Sequence, residues 1–128
     1  MTEIKNTKRY DLEKRTIDFA KAVRVFIKKI PKIIANFEDG KQVIRSSGSI
    51  GANYIEANEA LSKKDFVMRI KICRKEAKET KYWLEIIDTN NDKVLENEKL
   101  KLLNEATELI MIMSAIMRKS MENYVYII

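Results

Sequence analysis

Histidine is absent from this 128-residue chain, cysteine and proline occur once each, and there are three glycines. Without histidine there is no Ser/His or Cys/His nucleophilic pair, no HExxH zinc site, and no ExxH pair of the kind that completes di-iron sites in helical bundles. One cysteine excludes an internal disulfide framework, and Cys73 falls on an apolar helical stripe, so it reads as a small buried hydrophobe suited to a reducing cytoplasm. So few Gly and Pro leave too little turn punctuation for a sandwich or barrel of short strands. None of Gly40, Gly48 and Gly51 is placed as in a phosphate-binding P-loop with its Lys and Ser/Thr. No stretch approaches the ~18 apolar residues of a membrane span. The N-terminal MTEIKNTKRYDLEKR lacks the apolar core of a signal peptide. The expectation is a cytoplasmic protein with no cofactor, no metal and no membrane partner.

What is present is helical periodicity. The chain is of a size for one domain, 1–128, with four helices expected at about 11–35, 41–61, 63–88 and 97–122. Leu12, Thr16, Phe19, Val23, Phe26, Ile30 and Ile33 follow four-three spacing along one side of the first helix, which Pro31 kinks or ends. The run Asn36 to Gly40 has the composition of a helix connection. Val43, Ser47, Ile50, Tyr54, Ala57 and Leu61 continue the spacing in the second helix, with Ile44, Gly51, Ile55 and Asn58 alongside. Gly48 and Gly51 each weaken a helix by about 1 kcal/mol against Ala, a cost that close approach to a neighbour would offset. Ser62 is an N-cap, with Asp65 at the third helical position. Phe66, Ile70, Cys73, Ala77, Thr80, Leu84 and Ile87 form the third stripe, flanked by Tyr82 and Trp83. Leu102, Ala106, Leu109, Met113 and Ile116 form the fourth. Leu109 to Met117 is apolar nearly all the way round, more than one buried face requires, and so implies a partner subunit. The tail from Tyr124 to Ile128 adds further apolar surface.

The net charge of +6 is uneven: residues 1–82 carry 20 basic and 11 acidic side chains, residues 83–128 only 5 and 8. At 100° per residue, Lys14, Lys21, Arg24, Lys28 and Lys32 lie opposite the core of the first helix. Lys64, Lys71, Arg74, Lys75, Lys78 and Lys81 do the same on the third. Such stripes neutralise phosphates or serve as solvated faces, and repetition in an oligomer would add their fields.

The run Arg45 to Ala60, RSSGSIGANYIEANEA, puts polar groups where the periodicity asks for burial. Arg45, Ser46, Ser49, Asn53 and Glu56 make either a polar pocket or, the preferred reading at three and four residue spacing, hydrogen bonds between helices. The carboxylate pairs Glu56 with Glu59 and Glu76 with Glu79 could hold a hard cation, or pair with nearby Lys and Arg as ordinary helix faces do.

These same residues resemble a bacterial family, the four-helix bundle proteins encoded in intervening sequences of large-subunit ribosomal RNA genes. The family's second helix carries Arg, a Ser-Ile pair, Asn and an acidic residue, matched here by Arg45, Ser49, Ile50, Asn53 and Glu56; the usual following Gly is Ala57. KDFVMRIKICRKEAKETKYWLEII is similar to a subgroup's third helix, with Lys75, Glu76, Ala77, Glu79, Thr80, Tyr82, Trp83 and Leu84 in place. The Gly-Ser pair of other members is missing. The resemblance implies an all-α, antiparallel up-down-up-down four-helix bundle assembling into a homo-oligomeric ring, commonly a pentamer, with no established catalysis. The related accessory variability proteins of diversity-generating retroelements imply, by analogy, contacts with nucleic acid and a reverse transcriptase.

The resulting expectation is a non-enzymatic homo-oligomer whose basic faces contact RNA or DNA. One rival is a protein-interaction adaptor that uses the apolar fourth helix and the C-terminal tail. The other is an enzyme built around Glu56.

Overall fold

The computed structural model describes the backbone of residues 2–127 and the side chains of residues 11–122. It contains α1 (Thr2–Lys29), α2 (Ile34–Asn58), α3 (Lys63–Ile86) and α4 (Lys93–Ile127), and among the described residues there is no strand. Among the residues whose side chains are described, α2 packs against α3 most extensively, then α3 against α4 and α1 against α2, with α1 against α4 the lightest seam. Among the described residues α1 and α3 make no close backbone contact, and neither do α2 and α4, so these are the two diagonals. No described helix is long and apolar enough to cross a membrane.

The four stripes converge on one core in which Phe26, Ile50, Ile70, Leu84, Leu109 and Met113 are fully buried. Two residues expected in it lie outside. Ile33 precedes α2 and is exposed, and Leu61 follows the end of α2 and is 99% exposed. Leu12, Phe66 and Ile116 are half-buried against the core rather than within it.

The first connection differs from the sequence expectation. α1 ends at Lys29 and α2 begins at Ile34, so the expected loop at Asn36 to Gly40 is helical and the break falls around Pro31. Proline disfavours helical backbone at the residue before it and supplies no N–H, which stops α1 there. Asn36 looks like a loop residue because its amide competes for backbone partners, but here it is buried. It donates to the carbonyls of Pro31 (2.9 Å) and Asp88 (2.8 Å) and accepts from the Asp88 N–H (3.0 Å). One side chain thereby ties the α1–α2 turn to the α3–α4 turn. α1 also starts well before residue 11, and α2 ends at Asn58 rather than 61.

Ser62 caps α3 by accepting from the Asp65 N–H at 3.1 Å, the cap the spacing predicts. α3 ends at Ile86, where Lys99 of α4 donates to the carbonyls of Glu85 (2.7 Å) and Ile87 (3.0 Å) and so satisfies a helix C-terminus. α4 starts at Lys93, earlier than expected, because Asp92 accepts from the Leu95 N–H at 3.0 Å. Asn90 and Asn91 take left-handed φ of 56° and 59°, which asparagine tolerates.

Cys73 is buried, and burial pushes its thiol up to about 12, so it stays protonated at neutral pH. A thiol reagent is expected to leave Cys73 unmodified in the native protein over hours and to titrate it fully in denaturant. Rapid native labelling would mean that the α3 core opens.

Candidate nucleic-acid interface

Arg45, Ser46 and Asn53 of the polar series wire α2 to α3. Arg45 donates to Glu79 (2.8 Å) and to the buried Glu76 (3.4 Å) across the α2/α3 seam. Beside this pair and buried, the hydroxyls of Ser46 and Thr80 are 2.8 Å apart, and Thr80 is 2.8 Å from the Glu76 carbonyl. Asn53 accepts from Arg69 of α3 at 3.2 Å and donates to the Ser49 carbonyl at 2.8 Å. Ser49 departs from the interhelical reading, since its hydroxyl donates at 2.9 Å to the Arg45 carbonyl of its own helix. Glu56 and Glu59 are exposed in the cleft at the α2–α3 turn, near Asp65 and Arg69. Among the described residues no three acidic or thiol side chains gather to hold a metal ion. Trp83 is half-buried, with the Tyr82 ring edge-on at 5.1 Å.

The α1/α2 seam has a different chemistry. Gly51 lies so near α1 that a Cβ there would come 2.6 Å from Thr16 Oγ1; at Gly48 the nearest atom would be the tip of Arg24, at 3.5 Å. Close backbone approach therefore accounts for Gly51 and not for Gly48. Two separate clefts follow one another along this seam and make up its groove. One is lined by Lys21 and Arg24 of α1 with Ile17 and Ile55 at its sides. The other holds Lys28, Lys32, Lys41 and Phe37. Neither stretch has a carboxylate in its lining. Phe37 is 64% exposed, and Ile17 and Ile55 are about half exposed. Lys41 pairs with Glu38 at 3.1 Å, but both are largely exposed, so the pair is weak.

Four of the five basic residues singled out on the first helix line this groove. The fifth, Lys14, is on the α4 side and pairs with Asp18 at 2.9 Å. On α3, Lys64, Lys71, Lys75 and Lys78 are exposed while Arg74 and Lys81 are half-buried. Because α1 and α3 are diagonal, the two basic sets lie on helices at opposite corners of the bundle. The periodicity placed each stripe on its helix, except that Lys32 lies in the α1–α2 connection past the end of α1 at Lys29, but it held no information about which helices are neighbours. It also passed over Phe37, assigned to a loop, and Arg15, whose fork donates to both oxygens of Glu105 at 2.7 Å and closes the light α1/α4 seam.

α4 turns part of its apolar run outward. Leu109 and Met113 are buried, while Leu100, Met111 (62%), Ala115 and Met121 are exposed. The tail from Tyr124 lies outside the residues whose side chains are described.

The family model of the 23S rRNA-intervening sequence proteins matches residues 8–115. A solved structure from Bacteroides thetaiotaomicron, described as a protein of unknown function from the S23 ribosomal protein family, is similar at 29% identity and a TM-score of 0.72. The match covers 87% of this chain and 98% of that one. No curated protein matches the chain.

Proposed function

The chain belongs to the 23S rRNA-intervening sequence protein family, and from that premise we propose that it is a non-enzymatic, cytoplasmic homo-oligomer that binds RNA or DNA. The observation that carries the binding half is the α1/α2 groove, where Lys21, Arg24, Lys28, Lys32 and Lys41 line two clefts with no carboxylate in their linings, Glu38 lying beside them on Lys41. A polyanion gains there by releasing its counterions. The α3 set, from Lys64 to Lys81, offers a second contact on the far side of the bundle. Opposed residue orders support an antiparallel up-down-up-down bundle. Gly51 and Gly40 meet Thr16 and Ile27, Ser46 and Asn53 meet Thr80 and Arg69, and Arg15 and Lys29 meet Glu105 and Glu98.

Self-association is supported by the outward apolar residues of α4, which water solvates poorly. A heterologous contact between copies that closes on itself gives a ring, and a pentamer is the size proposed. Met111→Glu places a charge in that contact and is expected to reduce the native mass to that of the monomer, with helicity retained. Native mass spectrometry of both proteins checks this, and a wild-type monomer would contradict the assembly. Retention of labelled RNA or DNA at about 50 mM salt that fades as salt rises to about 200 mM tests the binding; no retention at the lower salt, with the oligomer intact, would overturn it. The adaptor reading, in which the α4 face recruits a different protein, is favoured only if Met111→Glu leaves the mass unchanged.

A further inference from the structure

We infer that the α1/α2 groove takes an unpaired nucleic-acid strand in preference to a duplex, with Phe37 as the platform on which a base stacks. This rests on the proposal that the protein binds nucleic acid and adds which form it binds and by what contact. Cations alone would serve a duplex as well as a single strand, because both present phosphates. The groove, however, combines charge with uncovered apolar surface. Phe37 stands 64% exposed among Lys28, Lys32 and Lys41 in one stretch, and Ile17 and Ile55 are half exposed beside Lys21 and Arg24 in the other.

A duplex keeps its base faces inside the stack and would leave these three side chains in water. An unpaired strand turns π faces outward, and a phenyl ring flanked by lysines offers those faces a stacking surface while the lysines hold the adjoining phosphates. Phe37 is in the first turns of α2, beside the connection anchored by Asn36, so the ring is carried on helical backbone rather than on a loose loop. Its exposure also means that replacing it removes no core contact. Among the described aromatic residues Tyr82 is nearly as exposed, but its ring is engaged edge-on by Trp83 on α3.

Fluorescence anisotropy with an unstructured strand of about 20 nucleotides, and with a fully paired duplex of the same sequence, tests this in low salt on the intact full chain. The strand is expected to bind about tenfold or more tighter than the duplex. Phe37→Ala should weaken strand binding about tenfold and leave duplex binding unchanged, whereas Phe37→Trp should retain or improve it. Unchanged melting temperature and native mass show that each variant is sound. Equal affinity for strand and duplex, or no effect of Phe37→Ala when charge reversal of Lys21, Arg24 and Lys28 does abolish binding, would overturn the inference and leave the nucleic-acid proposal standing. Polyglutamate that competes as well as the strand at equal charge would overturn it too, since a carboxylate chain has no π face. Absence of binding by both polymers overturns the inference and the proposal together. A fall in native mass on Phe37→Ala would overturn the inference by assigning the ring to a second copy.

Discussion

Lys21→Glu, Arg24→Glu and Lys28→Glu combined are expected to remove measurable nucleic-acid binding at about 50 mM salt. The groove then presents three carboxylates and only Lys32 and Lys41, so attraction becomes repulsion along the whole α1 wall. If each of the three cations meets one phosphate, the slope of log affinity against log salt loses about 0.7 per contact on a single strand, or about 2 in all. Testing each residue as Ala keeps binding measurable and should recover those increments one at a time. All three side chains are exposed, and Arg24 makes only a local bond to its own helix, to the Ala20 carbonyl at 3.1 Å. Exposed substitutions of this kind change stability by within about 0.5 kcal/mol, so the loss is of binding and not of fold. Reversal of Lys71, Arg74 and Lys78 is expected to weaken binding less, because the exposed ring on that helix, Tyr82, is already engaged edge-on by Trp83. The reverse ranking would move the site to α3.

Gly51→Leu is expected to lower stability by about 3 kcal/mol, while Gly48→Ala raises it by about 1 kcal/mol. The two glycines are three residues apart on one helix and differ in what faces them. At Gly51 even a methyl would come 2.6 Å from Thr16 Oγ1 and 3.1 Å from Thr16 Cβ. Thr16 cannot yield: it is buried, its hydroxyl donates to the Glu13 carbonyl at 2.7 Å, and it has no long side chain to swing aside. α1 must therefore move off α2, costing packing along the seam. At Gly48 the facing atom is the flexible end of Arg24 at 3.5 Å, an ordinary contact, so only the gain in helix propensity remains. Thermal denaturation should show a drop of about 10 °C for Gly51→Leu and a rise of a few degrees for Gly48→Ala. Thr16→Ala should rescue much of the defect of Gly51→Ala, a coupling that holds only if the two residues touch. Equal stabilisation by Ala at both glycines would contradict the close α1/α2 seam.

The core was readable in advance because four-three spacing from Thr16 to Ile30 and from Ile70 to Ile87 leaves one buried face per helix. Ser62 was readable too, since a cap uses only local chemistry. Asn36 was not, because its loop-like character serves a contact with Asp88, 52 residues away. The groove escaped notice for a related reason. Periodicity put Lys21, Arg24 and Lys28 on an outer stripe, but it could not say that Gly48, Gly51 and Ile55 lie beside them, nor that α3 carries its own stripe to the opposite side. Arg45 with Glu76 and Glu79 shows the converse case, in which charges read as possible chemistry are answered by each other across the α2/α3 seam. The family resemblance rested on this wiring, which ties α2 to α3.

The most direct test of the central proposal, that the α1/α2 groove holds nucleic acid, is zero-length photocrosslinking of a 4-thiouridine strand to the native protein, with the linked peptides identified by mass spectrometry. The account predicts links within residues 17–32 and 37–55, including Phe37, and their loss when Lys21, Arg24 and Lys28 are reversed. Links confined to α3 around Lys71 to Lys81, with the groove peptides clean, would contradict it.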